Sequence, residues 1–114
     1  MITIYHNPRC SKSRQTLALL EEKGIQPEII EYLKTPPSAS ELTKVLNYLN
    51  ISARDLMRSG EAEYKENNLS NPELNDSQLI EFMLKYPKLI QRPIVINGEK
   101  AAIGRPPEQV LEIL

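Results

Sequence analysis

The first thirty residues alternate between strand and helix patterns, and this alternation constrains the fold more than any other feature of the chain. Residues 2–5 are β-branched and apolar, as in a short strand. From Cys10 onward, apolar residues recur at helical spacing until Gly24, which is typical of a helix C-terminus. Residues 28–32 have the pattern of a second strand. A strand, a helix and a strand within about 30 residues predict a right-handed βαβ unit with parallel strands.

The middle of the chain, residues 38–87, has a helical pattern. Ser38 and Glu41 have the spacing of a capping box, and the apolar residues after them follow the spacing of one buried helix face. A short helix is expected from Ser52, followed by an irregular polar stretch over residues 65–76. Another apolar helix face follows that stretch.

The C-terminal part returns to strands. Residues 94–96 and 99–103 lie on either side of Asn97-Gly98, and Asn-Gly between two strands predicts a hairpin. Its expected turn is type I′, in which both turn residues have positive φ. A final helix is expected from Pro107, since proline is tolerated in a first helical turn.

The element order is therefore β-α-β, a helical segment, then β-β-α. A parallel pair followed by an antiparallel hairpin gives a mixed four-stranded sheet with helices on its faces. This α/β arrangement is the thioredoxin-like topology, with a helical insertion between its βαβ and ββα halves. We expect the 114 residues to form one domain with the insertion at about 38–87.

Charge and composition argue against several classes of function. The chain has 14 Lys and Arg against 15 Asp and Glu, which lacks the basic surface that nonspecific nucleic-acid binding needs. No apolar run approaches the roughly 20 residues that span a bilayer, and the N-terminus does not resemble a signal peptide. We therefore expect neither nucleic acid nor membrane as a partner. Because a single cysteine rules out an internal disulfide framework, the expected setting is reducing and cytoplasmic.

Cys10 lies where the first predicted strand gives way to the first predicted helix. Helix N-termini carry partial positive charge and unpaired N–H groups, both of which favour a thiolate. Arg9, Lys12 and Arg14 lie in the same turn, and His6 lies four residues before the cysteine. These polar neighbours favour a reactive thiolate over a small buried core cysteine. His6 either lowers the pKa of the sulfur and transfers a proton, or has a structural role.

The same turn is a candidate oxyanion site, because backbone N–H groups of residues 10–13 would point into one concavity. Arg92 and Arg105 each precede a proline at a strand end, and Arg58 is a third candidate ligand. Guanidinium groups bind tetrahedral oxyanions in a bidentate manner. In the predicted topology the segment before the third strand passes close to the cysteine, so Pro93 is a candidate cis proline beside the site.

A second thiol is missing from this turn. The position three residues after Cys10 is Ser13, so a redox cycle through Cys10 must end on an external thiol. Ser13 either donates a hydrogen bond to the thiolate or is an ordinary serine on a helix surface. Arg14 is a further candidate oxyanion ligand, although it comes too early for the C-x5-R loop of tyrosine phosphatases. One histidine and one cysteine cannot complete a metal site, so no metal is expected.

Four segments of the chain have a distinctive sequence, namely ITIYHNPRCSKSR, YLKTPP, LIQRPIVI and GRPPEQVLEIL. In sequence and in order along the chain, they resemble the glutaredoxin-dependent arsenate reductases of the ArsC type. The resemblance implies a cytoplasmic enzyme of arsenical resistance that reduces arsenate. It implies that the Cys10 thiolate attacks arsenate to form a covalent adduct, that glutathione then joins, and that a glutaredoxin reduces the mixed species.

The resemblance also implies roles for individual residues. Arg58, Arg92 and Arg105 match the arginines that hold the oxyanion, whereas His6 and Ser13 match positions that tune the thiolate.

Arg9 and Lys12 depart from the family pattern, because members active in arsenic resistance tend to have small or neutral residues there. This departure brings the chain nearer to a housekeeping branch of ArsC-like proteins. Two alternatives stay open: an Spx-like regulator that binds RNA polymerase, and a reductase of another small oxidised substrate. The missing second cysteine argues against the disulfide switch of such a regulator.

Overall fold

The computed structural model describes residues 2–114. It has four strands, β1 (Ile2–Tyr5), β2 (Glu28–Ile30), β3 (Ile94–Asn97) and β4 (Lys100–Ile103), and four α-helices, α1 (Ser11–Glu22), α2 (Ala39–Leu49), α3 (Ala62–Glu66) and α4 (Asp76–Lys85). Short 3-10 helices occur at Arg54–Leu56, Pro87–Leu89 and Pro107–Ile113.

The chain divides into two compact units. The first, which we call the sheet unit, comprises the segment ending at Thr35 together with Arg92–Leu114. The second, the helical unit, comprises Pro36–Gln91 and contains the segment that we expected as an insertion. Within residues 2–114, no helix is both long and apolar enough to cross a bilayer.

The sheet has the strand order β2-β1-β3-β4. β1 runs parallel to β2, with Ile4 opposite Ile29, and antiparallel to β3, with Ile4 opposite Val95. β4 runs antiparallel to β3, with Val95 opposite Ala102. The structure thus confirms the mixed four-stranded sheet of a thioredoxin-like α/β fold.

The core of the sheet unit forms where α1 and the C-terminal 3-10 helix contact the sheet. Ile4 and Val95 from the two central strands are fully buried together with Leu20 of α1 and Val110 of the last helix. The helical spacing after Cys10 predicted this face of α1. Burial of these apolar side chains anchors α1, and with it the turn that precedes the helix.

Local signals in the sequence account for the helix ends. Ser38 and Glu41 form the predicted capping box: the Ser38 hydroxyl accepts from the Glu41 N–H at 3.1 Å, and the Glu41 carboxylate accepts from the Ser38 N–H at 3.0 Å. Gly24, just after α1, has φ of +77°, as expected for a glycine that terminates a helix.

The predicted type I′ turn at Asn97-Gly98 is wrong. Asn97 still belongs to β3 and pairs with Lys100, so the two turn residues are Gly98 and Glu99. Of these, Gly98 alone has positive φ, +64°, which is the pattern of a type II′ turn with glycine at its first position. The register between β3 and β4, rather than the dipeptide itself, decides which residues form the turn.

The predicted irregular stretch at 65–76 is partly helical, because α3 extends over Ala62–Glu66 and therefore enters it. The remainder is ordered by Arg54, whose guanidinium donates to the carbonyls of Leu69 at 2.6 Å and Asn71 at 2.8 Å. The other boundaries differ less: the second strand ends at Ile30, and the helices expected from Ser52 and Pro107 are 3-10 helices.

Candidate active site

The loop between β1 and α1 positions Cys10. Asn7 is buried, and its side-chain Oδ1 accepts from the Arg9 N–H at 3.0 Å while its carbonyl accepts from the Cys10 N–H at 3.0 Å. The His6 N–H donates to the carbonyl of Ile30 at 2.8 Å, which ties the loop to the end of β2. These bonds hold Cys10, in extended conformation, as the N-cap residue of α1.

The surroundings of the Cys10 sulfur favour the thiolate. Partial burial by itself raises the pKa of the thiol, but hydrogen bonds from the Ser13 N–H, the Arg92 guanidinium and the Lys12 N–H outweigh it. The net effect is a pKa below that of an ordinary cysteine. The N–H groups belong to the first turn of α1, where helical geometry leaves them without intrahelical partners. Cys10 is a free, partly exposed cysteine, so the sulfur is accessible.

Two arginines lie at the sulfur. The Arg105 Nη2 is 3.7 Å from Cys10 Sγ, and the Arg105 Nε donates to the carbonyl of Arg92 at 2.7 Å. The Arg92 guanidinium hydrogen bonds to Cys10, and its own Nε is buried without an acceptor among the described residues. The Arg92–Pro93 and Arg105–Pro106 peptide bonds are both cis. The site therefore offers two cationic donors to an anion beside the sulfur.

Gly104 allows the end of β4 to approach α1. A Cβ at this position would collide with Thr16 Oγ1, and it would lie 2.8 Å from Pro93 Cγ. The Gly104 N–H donates to the carbonyl of Pro93 at 2.9 Å, which joins the two proline-containing segments. This close approach places the following residue, Arg105, at Cys10. Gly104 was not predicted as a site residue from the sequence, where its position directly before Arg105 is the available signal.

His6 and Ser13 form a buried hydrogen-bonded pair. The Ser13 Oγ lies 2.6 Å from His6 Nδ1 and also accepts from the Asn7 N–H at 3.0 Å. Ser13 has no exposed surface, which excludes the interpretation as an ordinary surface serine. Its contact with the sulfur is made by the backbone N–H rather than by the hydroxyl.

The imidazole of His6 stays neutral near physiological pH. Burial lowers its pKa; the carboxylate of Glu31 opposes this effect and the cation of Arg14 adds to it, and the net shift is downward. In the tautomer in which Nδ1 accepts the proton of the Ser13 hydroxyl, the ring proton is on Nε2. His6 thus fixes the loop through Ser13 without adding a positive charge.

Arg14 and Arg58 have other observed partners. The Arg14 Nη1 donates to the carbonyl of Pro8 at 3.0 Å, so this guanidinium supports the active-site loop. Arg58 belongs to the helical unit, where its Nε lies 3.3 Å from a carboxylate oxygen of Glu61. For both residues, oxyanion binding stays a prediction.

Tyr32 is a site residue that was not predicted from the sequence. Its side chain is 1% exposed and interacts electrostatically with the Arg92 guanidinium. Burial lowers the pKa of Arg92, but the contacts with Cys10 and Tyr32 outweigh this effect and raise it, so the guanidinium keeps its charge. A tyrosine at the end of a strand is an ordinary core pattern, and only the fold reveals its contact with Arg92.

Among residues 2–114, no group of three or more His, Cys, Asp or Glu side chains could hold a metal ion.

Comparison with known proteins agrees with the fold. The sequence matches the ArsC family over residues 5–113. It is 54% identical over 114 residues to the arsenate reductase of Haemophilus influenzae, covering 99% of this chain and 98% of that protein. It is 55% identical over 114 residues to the uncharacterized protein YfgD of Escherichia coli, covering 99% and 96% of the two chains. The structure of the arsenate reductase from Vibrio cholerae matches with a TM-score of 0.97 at 54% identity, covering 99% and 97%. The chain therefore belongs to the ArsC family.

Proposed function

We propose that this protein is a cytoplasmic enzyme that reduces arsenate to arsenite, with glutathione and a glutaredoxin as the reductants. The observation that carries the proposal is a cysteine with lowered pKa that has the guanidinium groups of Arg92 and Arg105 beside its sulfur. The relatives from Haemophilus influenzae and Vibrio cholerae, both named arsenate reductases, support the choice of substrate.

Arsenate is a tetrahedral oxyanion, and it suits the donors around Cys10. Arg92 and Arg105 neutralise its charge and donate hydrogen bonds to its oxygens, while N–H groups of the first turn of α1 face the same region. The buried Nε of Arg92 gains an acceptor when the oxyanion binds. Arg58 and Arg14 are further ligands in this proposal.

The first chemical step forms a bond between the Cys10 sulfur and arsenic. The thiolate attacks arsenic(V), and one arsenate oxygen takes up protons and leaves as water. The arginines stabilise the negative charge on the remaining oxygens during this displacement. His6 and Ser13 hold the loop that carries the nucleophile, and they act as positioning residues.

The electrons come from external thiols, because Cys10 is the only cysteine in the chain. The glutathione sulfur bonds to the arsenic of the adduct, and a second oxygen leaves as water with the thiol proton. A glutaredoxin thiolate then attacks the glutathione sulfur, so that a disulfide forms and arsenic takes the electron pair of the broken bond. Water releases arsenite from Cys10. Overall, one arsenate and two thiols give one arsenite, one disulfide and one water.

A coupled assay tests the proposal. Glutathione reductase regenerates glutathione in the presence of glutaredoxin, and NADPH consumption is followed after arsenate is added. We expect an arsenate-dependent rate that is lost in Cys10→Ser, whereas Ser11→Ala, which changes an exposed residue at the start of α1, retains it. An arsenate-dependent rate no higher than that of Cys10→Ser would reject the proposal.

A further inference from the structure

A cleft of about 220 Å³ lies beside the active-site loop, in the sheet unit. It is lined by residues 6–9 together with Glu31, Leu33 and Lys34. Residues 6–9 follow the end of β1, and residues 31–34 follow the end of β2, which is parallel to β1. The outer side of the carboxyl ends of parallel strands is where ligands bind in open α/β sheets. The mechanism proposed above does not use this cleft.

Each wall of the cleft contains residues that neighbour a residue of the sulfur site along the chain. On one side, Arg9 directly precedes Cys10. On the other side, Glu31 and Leu33 flank Tyr32, whose buried side chain interacts with the Arg92 guanidinium, and Arg92 hydrogen bonds to Cys10. A molecule in the cleft therefore contacts the chain segments that carry Cys10 and Tyr32.

The charges of the cleft differ from those beside the sulfur. The cleft has two cations, Arg9 and Lys34, and one carboxylate, Glu31, which is 3.5 Å from the Lys34 ammonium. The Lys34 side chain is 80% exposed, and an ion pair so open to solvent contributes little, so Lys34 is able to contact an incoming anion. Glu31 repels a multiply charged oxyanion, whereas a single carboxylate suits the excess of one cation.

The size and the apolar side chains of the cleft also fit one end of a peptide. Leu33 is 41% exposed, which offers an apolar wall to an aliphatic stem. Pockets that enclose a whole small molecule typically have about 300–1,000 Å³. A cleft of about 220 Å³ is too small for an entire tripeptide, but it accepts one residue and leaves the rest outside.

We propose that this cleft binds a carboxylate of the thiol peptide that attacks the Cys10 adduct. This inference rests on the function proposed above. Arg9 and Lys34 hold the carboxylate, and the thiol then reaches the arsenic at Cys10, where its sulfur bonds to arsenic and one oxygen leaves as water with the thiol proton. The cleft thus selects the co-substrate, while Arg92 and Arg105 select the oxyanion.

A charge reversal in the cleft tests this assignment. We expect Lys34→Glu to raise the KM for glutathione about threefold to tenfold, because an attraction becomes a repulsion, and to leave the KM for arsenate unchanged. The matched control is Lys100→Glu, an equal charge change on β4, which lies at the opposite edge of the sheet from β2. Equal effects of the two variants on the KM for glutathione would overturn the assignment.

Three thiol substrates identify the carboxylate. The ester of glutathione at its glycyl carboxylate has no C-terminal charge, γ-glutamylcysteine has its C-terminal carboxylate on the cysteine instead, and cysteinylglycine lacks the γ-glutamyl carboxylate. If the glycyl carboxylate occupies the cleft, the Lys34→Glu effect disappears with the ester and persists with cysteinylglycine. If the γ-glutamyl carboxylate occupies it, the effect disappears with cysteinylglycine alone. An effect of equal size with all three thiols contradicts the assignment.

Binding without turnover separates this inference from the proposed function. S-methylglutathione cannot react, and its affinity can be measured by NMR titration of the protein. We expect S-methylglutathione to bind, with an affinity that Lys34→Glu lowers and Lys100→Glu leaves unchanged. A titration in which the NMR chemical shifts of residues 6–9 show no saturable change would overturn the inference. If the protein turns over arsenate and Lys34→Glu does not change the KM for glutathione, the assignment of the cleft is wrong but the proposed function stands. If the unmodified protein does not turn over arsenate, the proposed function is wrong.

Discussion

The protonation state of Cys10 decides whether its sulfur is a nucleophile. Hydrogen bonds from the first turn of α1 and from Arg92 lower the pKa of the thiol in spite of partial burial. We therefore predict that alkylation of Cys10 by iodoacetamide has a pH midpoint below the usual value of about 8.5. The denatured protein is the control and should titrate near that usual value. A folded protein that also titrates there would show an unactivated thiol.

Arg92 has two separable effects that a single substitution can reveal. We predict that Arg92→Ala weakens oxyanion binding by about 1.5–3 kcal/mol, because it removes a charged hydrogen bond. The same change should raise the pKa of Cys10, since the guanidinium contributes to lowering it. Affinity is measured as protection of Cys10 from alkylation by increasing arsenate, with Lys100→Ala as the control for loss of charge. Unchanged affinity would remove Arg92 from the site.

The sequence identified some site residues and missed others for a physical reason. Cys10 was predictable because its position at the start of a helix, four residues after His6, can be read from the local sequence. The helix N-terminus is what favours the thiolate. The burial of Ser13 was not predictable, because it depends on how the loop containing Asn7 folds back over α1. Tyr32 was missed because its partner, Arg92, is distant along the chain.

At the scale of elements, the junction of α1, β3 and β4 controls the position of Arg105. We predict that Gly104→Ala destabilises the protein by about 1–3 kcal/mol, because the added methyl group collides with Thr16 and Pro93. It should also slow arsenate turnover, since Arg105 moves away from the sulfur. Chemical denaturation measures the first effect and the coupled assay measures the second.

Gly60→Ala is the matched control for that variant, because a Cβ at Gly60 meets no atom within 4 Å. Equal stability of the two variants would mean that the end of β4 does not need to approach α1 closely.

Features with local signals were predicted well, whereas the hairpin turn, which depends on strand register, was not. The capping box at Ser38 and the glycine after α1 depend on residues within one helical turn, so the sequence contains them entirely. The turn at Gly98 depends on the register of β3 against β4, which a dipeptide cannot specify. The segment around Leu69 looked irregular because the side chain that orders it, Arg54, comes well before it in sequence.

At the scale of the whole molecule, the neutral His6 links stability to pH. Burial lowers its pKa in the folded protein, whereas the unfolded chain has the ordinary value of about 6.5. Below that value the unfolded chain binds more protons, so stability rises as pH increases towards 6.5 and is lost as pH falls.

We predict that the free energy of unfolding, measured by denaturant titration between about pH 5 and pH 7, rises less steeply with pH in His6→Gln. Identical slopes would show that His6 titrates equally in both states.

Formation of a bond between Cys10 and arsenic is the central claim, and a crystal soaked with arsenate and glutathione tests it most directly. We predict electron density for arsenic bonded to Cys10 Sγ, with its oxygens within hydrogen-bond distance of the Arg92 and Arg105 guanidinium groups, and no such density in Cys10→Ser. An unmodified Cys10 in soaked crystals of a protein that turns over arsenate in solution would contradict it.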